Sequence, residues 1–427
     1  MENPRALHIV LNGVIEDSRV LKCAWSLGNA GWDVIVCGAS PKLDRDEFEI
    51  GYARIVRVPL KPVFSYTLFA KLLRRARRFQ RRLMAKFFGS AKPGIPNLKR
   101  GVELITPLAL DFKPAVVHAH DYTALPIAGA IVDALAKTGQ MAKLVYDAHE
   151  YVPGVSHLTK PLAKVYGDQE RRYVKKSAAI LSVSEGMSDL LIPHLKLSKR
   201  PELVANDPLV IGQQLSTRNL RADCSIGAQV PIMIYSGAVA PQRGISTALE
   251  ALRDLPGVHL VLVANPANQT VKELVAKYAH LEGRFHVQPY VSNSELVSYL
   301  SGATIGLIPI HHKLNHEISL ITKFGEYMQA RLPILVSDVR TMAAEVRKLG
   351  NGEVFIAENV KDFVRAASLI FENPEKYSGV YTEAVLRERS WELQAENLLR
   401  VYNQISGANP IARALKPFTV SDPQVHR

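Results

Sequence analysis

Short apolar runs rich in β-branched residues alternate with helical patterns along most of this 427-residue chain. The first set of runs is LHIVL (7–11), WDVIVCG (32–38), AVVHAH (115–120) and KLVYDAH (143–149). The second set is PIMIYSG (231–237), HLVLVA (259–264), FHVQPY (285–290), IGLIPI (305–310) and PILVSD (333–338). This alternation is typical of α/β proteins with a mostly parallel sheet and helices on both faces. Because ligands bind beyond the carboxyl ends of such strands, we predict two Rossmann-like, doubly wound parallel-sheet domains facing across a cleft.

The chain length also predicts two domains, since a single core rarely serves more than about 250–300 residues. A stretch of mixed polar residues with little periodicity separates the two sets of runs and is typical of a linker. The predicted organisation is an N-terminal domain (1–205) with a basic amphipathic insert (61–100), a linker (206–230), a C-terminal domain (231–389), a terminal helix (390–406) and a poorly ordered tail (407–427).

The cysteines and the hydropathy pattern indicate a cytoplasmic protein. Cys23, Cys37 and Cys224 are odd in number and lack metal-ligand spacing, which fits reduced thiols better than a disulfide framework. No run of about 18 apolar residues could cross a bilayer. The first residues enter a strand pattern without the regions of a signal peptide.

The net charge of +13 is concentrated in one segment. Residues 61–100 contain twelve Lys and Arg residues and no Asp or Glu, whereas the rest of the chain has 41 basic and 40 acidic residues. Because the remainder is nearly neutral, a nucleic-acid-binding surface spread over the fold is not expected.

Within this segment, apolar residues at steps of three and four predict an amphipathic helix over 68–88. Its polar faces carry Arg74, Arg75, Arg77, Arg78, Arg81 and Arg82. Each cation contributes on the order of 1 kcal/mol near an anionic lipid surface. The helix is therefore predicted to lie on the inner face of a membrane or to contact an anionic acceptor. In the alternative reading it packs on the N-terminal domain with its arginines solvated.

The segment 308–338 places polar residues at a predicted helix start. Ser319 is a candidate N-cap for a helix beginning at Leu320, which would leave backbone N–H groups free beside Lys323. Such a helix start favours anions. Glu326 lies seven residues after Ser319, so it falls on nearly the same helical face two turns along. A diphosphate on the amides would then leave a sugar hydroxyl near the Glu326 carboxylate. Alternatively, Lys323 and Glu326 form an ordinary surface ion pair.

Polar residues also follow several other predicted strands. Gly13 lies in a turn after the first strand, where glycine lets the backbone approach a ligand. His118 and His120 alternate onto the same side of the third strand, and Asp121 follows directly. A lone strand-end histidine is more often structural, but two beside an aspartate favour a functional site.

Two further strand ends carry the same kind of chemistry. His149 and Glu150 follow the fourth strand of the first set. Gly237 ends the first strand of the second set, and Arg243 precedes the next helix, which is a natural place to hold a phosphate.

The order of these motifs resembles that of the retaining glycosyltransferases of family 4. The motifs are HAHD (118–121), YDAHE (146–150), SVSEGM (182–187), VAND (204–207), the YSG to RG turn (235–244), KFGEYMQARLPILVSD (323–338) and SWELQAENLL (390–399). The resemblance spans residues 7–405 and implies the GT-B fold. It also implies transfer of a sugar from a nucleotide-diphosphate sugar, held mainly by the C-terminal domain, to a glycan, lipid-linked or small-molecule acceptor held mainly by the N-terminal domain.

Position by position, the resemblance assigns the donor side first. Arg243 and Lys323, with the amides of Ser319 and Leu320, would neutralise the departing diphosphate. Glu326 would bind the ribose hydroxyls. Because preorganised cations and amides stabilise the developing charge, neither a metal nor a cofactor is expected.

The remaining assignments concern the reacting sugar and the acceptor. By resemblance, Gly13 and Gly237 lie near the donor phosphates and His120 lies close to the reacting sugar. The acceptor-side candidates are Asp121, His149 and Glu150.

The chain departs from the family pattern at three places. Members often carry two acidic residues eight positions apart, but here Ile318 occupies the first place and Glu317 is one residue off register. Many members have an arginine where this chain has Ala238, and Asn12 precedes Gly13 in place of a second glycine. Phosphate binding would therefore depend more heavily on Arg243 and Lys323.

A histidine cluster in the same region is a weaker metal candidate. His311, His312 and His316 lack a cysteine or a regular carboxylate spacing, so they are interpreted as loop residues near the donor.

Two rival functions remain open at the level of sequence. A nucleotide-sugar epimerase of the same fold would change the sugar without any acceptor. A non-catalytic, membrane-docked sugar-nucleotide-binding protein is suggested by the off-register Glu317 and by Ala238.

Overall fold

The computed structural model describes residues 3–15, 17–40, 44–60, 98–156, 158–281 and 283–419. The predicted helix at 68–88 and its six arginines lie outside these ranges.

The chain forms two compact units. The first comprises Met1–Ser182, Leu191–Glu202 and Leu398–Arg427, and the second comprises Val183–Leu190 and Leu203–Asn397. The stretch 206–230, predicted as a linker, lies within the second unit.

The first unit is built on an eight-stranded sheet. Its strands are β1 (Arg5–Ile9), β2 (Asp33–Ala39), β3 (Asp46–Ile50), β4 (Ala53–Val58), β5 (Val116–His120), β6 (Lys143–Ala148), β7 (Ser177–Ser182) and β8 (Glu202–Leu203). Their spatial order is β3-β4-β2-β1-β5-β6-β7-β8. The pairs from β4 to β7 are parallel, and β3 pairs antiparallel with β4.

Helices connect these strands. They span Ser18–Asn29, Leu98–Phe112, Asp121–Lys137 and Lys160–Tyr173. Two more, Glu185–Leu195 and Trp391–Ser406, have residues in both units. Within the described ranges, no helix combines the length and apolar character needed to cross a bilayer.

The second unit contains a six-stranded sheet in which the described strand pairs are parallel. Its strands are β9 (Ile232–Ser236), β10 (His259–Val263), β11 (Phe285–Gln288), β12 (Ile305–Ile308), β13 (Ile334–Ser337) and β14 (Gly352–Phe355), ordered β11-β10-β9-β12-β13-β14. Its helices are Leu220–Asp223, Ile245–Ala251, Gln269–Lys277, Leu296–Leu300, Leu314–Ile318, Thr322–Gln329, Arg340–Leu349, Val360–Glu372, Pro374–Ser378 and Glu383–Glu388. The predicted α/β class with two doubly wound sheets is confirmed.

The apolar runs form strands because both of their faces are covered. Along β9, Met233 and Tyr235 belong to one buried apolar cluster, whereas Ile232 and Ile234 belong to another. Alternate side chains of a strand point to opposite faces, so each cluster is the core layer on one side of the sheet. This explains why these strands read as continuous apolar runs.

The tail at 407–427 differs from the expected poorly ordered segment in its described part. Trp25 Nε1 donates to the carbonyl of Lys416 at 2.8 Å, and Phe418 packs edge-on against the Trp25 ring. The Tyr52 hydroxyl donates to the carbonyl of Ala414 at 3.0 Å. Because these contacts use backbone carbonyls, the composition of the tail did not reveal them.

One close contact fixes a helix of the second unit against its sheet. A Cβ atom on Gly306 would lie 2.4 Å from Cγ of the Tyr327 ring, so glycine is required for the ring to lie on β12. The Tyr327 hydroxyl accepts from the Ser236 amide at 3.1 Å and lies 3.3 Å from the carbonyl oxygens of Ile234 and Leu307. The helix Thr322–Gln329 is thereby held at the ends of β9 and β12.

Gly306→Ala should therefore lower the free energy of unfolding by about 1–3 kcal/mol, because the new methyl group overpacks against Tyr327. Chemical denaturation measures this loss. Gly227→Ala is the matched control, because a Cβ there meets only Val230 Cγ2 at 3.7 Å. Equal stabilities of the two variants would contradict the assigned contact.

Candidate functional site

The turn after β9 brings Arg243 to the carboxyl end of the second sheet. Gly244 has φ +70°, and a Cβ there would collide with the Pro309 carbonyl oxygen at 1.7 Å. The amide of His311 donates to the Gln242 carbonyl at 3.0 Å. The turn is thus packed against the segment that follows β12, and it holds the half-buried Arg243 there.

Lys323 lies beside the same turn. Its side chain is 9% exposed, and its Nζ stands 3.5 Å from the centre of the Tyr235 ring. A Cβ on Gly237, whose φ is +121°, would lie 3.4 Å from this Nζ. Burial, together with the charge of Arg243, holds the pKa of Lys323 well below its ordinary value.

The two cations lack ordinary partners. Among the described residues, neither the Lys323 ammonium nor the Arg243 guanidinium is within hydrogen-bonding or ion-pairing distance of an acceptor. Glu326, half-buried on the next turn of the helix, favours the charged form of Lys323 only through space. Two neighbouring positive groups at a strand end are suited to hold an anion.

The predicted capping of this helix is wrong. Ser319 ends the short helix Leu314–Ile318, and its hydroxyl donates to the Asn315 carbonyl at 2.5 Å. The next helix begins at Thr322 after Ile321, without a side-chain cap. Because the LNHEI stretch folds into a helical turn of its own, Ser319 serves the end of that turn. The Phe324 amide donates to the Ile321 carbonyl at 2.9 Å, so the amides left at this helix start are those of Thr322 and Lys323.

Asn206 supports this helix start and was not assigned a role from the sequence. Its Nδ2 donates to the Thr322 hydroxyl at 2.9 Å. A Cβ on Gly325 would lie 2.5 Å from Cδ of Pro208, so the 206–208 stretch packs directly on the helix. The sequence signal for this role is the VAND motif (204–207), which is one of the motifs that carry the family resemblance.

In the first unit, strand-end side chains form a buried hydrogen-bonded cluster. His8, His118, His120 and Asp147 are each 0% exposed. His8 Nδ1 lies 2.9 Å from His120 Nε2, and His120 Nδ1 lies 3.2 Å from Asp147 Oδ2. The ring of His120 is thus directed into the unit. The nearby Asp121 and His149, unlike this ring, are partly exposed.

Tyr402, from the terminal helix, completes the cluster. Its hydroxyl lies 2.8 Å from His118 Nδ1 and 3.0 Å from His8 Nε2. This residue was assigned no role from the sequence, because the periodicity of a predicted helix carries no information about a buried hydroxyl.

The three buried rings of this cluster are neutral. Burial lowers the pKa of His8 and His118, and it lowers that of His120 to about 3. The rings and the Tyr402 hydroxyl make three hydrogen bonds among themselves. His118 Nε2 and His120 Nδ1 lie 3.5 and 3.2 Å from Asp147 Oδ2, but neither has hydrogen-bond geometry to a partner among the described residues.

Asp147 anchors the cluster through a buried bidentate ion pair. Arg19 Nε donates to Oδ2 at 2.9 Å and its terminal nitrogen donates to Oδ1 at 2.7 Å. Although burial opposes it, the Arg19 guanidinium holds the pKa of Asp147 well below its usual range. His149 Nε2 lies 3.1 Å from Asp147 Oδ2, and this carboxylate raises the pKa of His149.

Asp121 has a left-handed backbone conformation at the end of β5. It has φ +70°, and its Oδ1 is buried without a hydrogen-bond partner among the described residues. Burial raises the pKa of Asp121 to about 7, against the opposing charge of His149. Residues held in rare backbone conformations at strand ends often serve function.

The turn after β1 is built differently from the expectation. The left-handed residue is Val14, with φ +71°, rather than Gly13. Asn12 Oδ1 accepts from the Val14 amide at 2.9 Å, and its Nδ2 donates to Asp17 at 2.7 Å. A Cβ on Gly13 would meet no atom within 4 Å, so its surroundings are open.

Two family models match successive parts of the chain. The glycosyl transferase 4-like domain matches residues 18–206, and the glycosyl transferases group 1 model matches residues 216–385. The chain belongs to the family 4 glycosyltransferases. It is a retaining, nucleotide-sugar-dependent enzyme, as the motif order implied. No curated protein matched the sequence of this glycosyltransferase.

Solved structures confirm the GT-B fold of the enzyme. Sucrose-phosphate synthase from Thermosynechococcus elongatus is 16% identical, with a TM-score of 0.73 over 95% of this chain and 99% of that one. A glycosyltransferase from Rickettsia africae is 13% identical, with a TM-score of 0.66 over 95% and 99%. Anabaena HepE in complex with UDP and glucose is 12% identical, with a TM-score of 0.65 over 94% and 100%.

Metal-ligating side chains also converge in the glycosyltransferase. Nitrogen and oxygen atoms of His8, His118 and His120, and of His120, Asp147 and His149, come within 4.8 Å of one another. Hydrogen bonds and the ion pair with Arg19 account for these contacts, and the charge of Asp147 is already matched by that guanidinium.

Acid should destabilise the enzyme through its three neutral histidines. Their folded pKa values lie below the unfolded value, so the unfolded state gains protons first as the pH falls below about 6.5. Stability is complete above that pH and is lost below it, by about 1 kcal/mol per histidine between pH 7.5 and 5.5. His149 opposes this loss because its pKa is raised.

Urea unfolding at several pH values measures the slope. His120→Asn should reduce the slope by about one proton, since amide side chains do not titrate. The exposed His280 is the control position, and His280→Asn should retain the full slope. An unchanged slope in His120→Asn would refute a neutral His120.

Proposed function

We propose that the second unit of this glycosyltransferase binds a nucleotide-diphosphate sugar through Arg243 and Lys323. The first unit, on this proposal, binds the glycan, lipid-linked or small-molecule acceptor that receives the sugar with retention. The observation that carries the proposal is the pair of adjacent cations without an acceptor among the described residues. A buried ammonium is costly, and a dianionic diphosphate would offset that cost.

The chemistry of the donor follows from charge development. Breaking the glycosyl bond leaves the electron pair on the diphosphate, and groups already directed at it stabilise that charge without reorganising. Arg243, Lys323 and the free amides after Ile321 supply this stabilisation. Lys323 stands beside Gly237, next to Ala238, and so supplies charge where many family members have an arginine. Ser319 and Leu320, also expected to bind the donor, lie in the backbone segment just before this helix.

Glu326 is proposed to bind the ribose of the donor. It lies on the helix Thr322–Gln329, one turn beyond Lys323. A carboxylate accepts hydrogen bonds from two neighbouring hydroxyls, which suits a ribose. UDP is the first nucleotide to test, because HepE is described in complex with UDP and glucose.

Asp121, His149 and Glu150 are proposed to face the acceptor. The unpartnered Oδ1 of Asp121 can accept a hydrogen bond from an acceptor hydroxyl. His120, whose ring is fully buried, acts through these neighbours: its ring packs edge-on against His149 at 5.5 Å. Gly13 leaves open backbone in the turn after β1.

Donor binding can be tested without knowing the acceptor. UDP-, GDP- and TDP-glucose are screened for a rise in melting temperature, which a bound ligand produces by mass action. For the donor that binds, Lys323→Gln and Arg243→Gln should each weaken affinity about 10- to 100-fold, because a charge-assisted hydrogen bond contributes about 1.5–3 kcal/mol. Glu326→Gln should also weaken it.

Lys277→Gln is the matched control for this test. Lys277 also stacks on a tyrosine ring, Tyr278, at 4.8 Å, but it is exposed. Its replacement should leave affinity unchanged. Donor affinity equal to that of the native enzyme in both Lys323→Gln and Arg243→Gln would exclude the proposed site.

We also propose that the basic segment 61–100 places the cytoplasmic enzyme on the inner face of an anionic membrane. The support is its composition, with twelve cations and no acidic residue. Such segments bind anionic lipid mainly by electrostatics, so binding should fall with salt.

Sedimentation with phosphatidylserine-containing vesicles tests this placement. Changing Arg74, Arg75, Arg77 and Arg78 to serine should remove most of the binding, by at least tenfold. The control removes the same charge from exposed positions of the second unit by changing Arg253, Lys272, Lys277 and Lys348 to serine. If both variants bind the vesicles alike, the segment is not the membrane contact.

A further inference from the structure

Glu317, which is off register with the family pattern, makes a defined set of contacts within the second unit. Its Oε1 lies 2.5 Å from His312 Nδ1. Its Oε2 accepts from the amide of Arg340 at 2.8 Å. The helix Arg340–Leu349 begins after Val339, which has no side chain able to cap it. Glu317 therefore supplies, from a distant part of the chain, the capping oxygen that this helix lacks.

His312 connects Glu317 to a second carboxylate. Its Nε2 lies 3.0 Å from Asp338 Oδ1, at the end of β13, and the same oxygen accepts from the Ala357 amide at 2.9 Å. Both ring nitrogens thus face carboxylate oxygens, which only accept. A neutral imidazole has one N–H, so this geometry requires the doubly protonated ring.

The charges facing His312 favour that form. They are the carboxylates of Glu317, on its own segment, and of Asp338, on the packed strand end. The hydrogen bond to Glu317, with the charge of Asp338, raises the pKa of His312. The ring is 51% exposed, so it can exchange its proton with solvent.

Backbone contacts fasten the same segment. The Thr341 hydroxyl donates to the Glu317 carbonyl at 2.7 Å, and the Ser184 hydroxyl donates to the carbonyl of Ile318. Ile318 itself is 3% exposed and packs in the core. At the position where family members often carry an acidic residue, this chain has a buried apolar side chain.

We propose that His312, Glu317 and Asp338 form an ion-paired clamp that positions the segment 311–321 for donor binding. This proposal rests on the proposed function, because the segment leads directly into the helix that carries Lys323. The three are positioning residues: they hold the backbone before Thr322 in place without contacting the donor. Glu317 thus orders the segment before the proposed donor site. In the family pattern the acidic residue falls one position later, at 318.

The clamp predicts a loosened segment and weaker nucleotide binding when one member is neutralised. In Glu317→Gln and in His312→Gln, hydrogen exchange at the amides of 313–321 should rise at least tenfold at pH 6.5, with the rest of the second unit unchanged. Affinity for UDP, GDP or TDP, whichever the native enzyme binds, should fall at least fivefold. His312→Gln changes a half-exposed ring, so it reports even if Glu317→Gln does not fold.

The pH dependence separates a clamp from simple packing. As the pH rises from 6.5 through the raised pKa of His312, the ring loses its second proton, so the native segment should loosen toward the exchange rates of His312→Gln, after correction for intrinsic exchange. In His312→Gln the corrected rates should not change with pH. Glu358→Gln is the matched control: Glu358 lies 3.7 Å from the neighbouring His311 and is 63% exposed.

The outcomes distinguish this inference from the proposed function. If the native enzyme binds none of the three nucleotides, the proposed donor site fails and the purpose of the clamp fails with it. If the native enzyme binds one, but the variants bind it equally well or leave exchange at 313–321 unchanged, only the clamp is overturned. Loosening in Glu358→Gln as large as in Glu317→Gln would also overturn it.

Discussion

Lys323, taken out of water onto the face of Tyr235, is the constraint on which the proposed donor site depends. A cation on an aromatic ring gains about 2 kcal/mol when desolvated, less than the cost of burying an unpaired charge. The difference is offset by the packing of the helix on β9 and β12, where Tyr327 lies on Gly306. The fold therefore places a desolvated lysine with a lowered pKa at the end of a sheet, where a bound anion would favour its charged form.

The first unit handles buried charge in the opposite way. Arg19 and Asp147 match each other inside the unit, and three hydrogen bonds join the neutral rings of His8, His118 and His120 with the Tyr402 hydroxyl. Removing one member of this network would leave a further buried polar atom unpaired, which holds its side chains in place. The Asp147 carboxylate raises the pKa of His149 at the same strand end. On the proposed function, the second unit keeps its cations for a ligand, whereas the first unit uses charge to order its own residues.

Periodicity predicted the strands and the doubly wound class because continuous apolar runs are a direct consequence of burial on both faces. Arg243 was predicted from the end of a strand and Lys323 from the start of a helix, and the two side chains lie close enough for the charge of Arg243 to lower the pKa of Lys323. Ser319 was assigned to the start of a helix, whereas its hydroxyl donates to Asn315 at the end of a preceding short helix that the sequence pattern did not reveal. In the described part of the tail, Lys416 accepts a hydrogen bond from Trp25, and local sequence patterns do not pair residues so far apart in the chain.

The off-register Glu317 shows what a sequence comparison misses when it scores one position at a time. A shift of one residue near a helix end turns a side chain by roughly 100°, so Glu317 and a carboxylate at 318 would point in different directions. With Ile318 packed in the core, the outward place is lost and the carboxylate instead caps Arg340–Leu349 and pairs with His312. This chain therefore lacks a carboxylate at position 318, and Glu317 instead supports the segment that precedes the proposed donor-binding helix. Departures from a sequence pattern are most informative where the residue serves function or supports a residue that does.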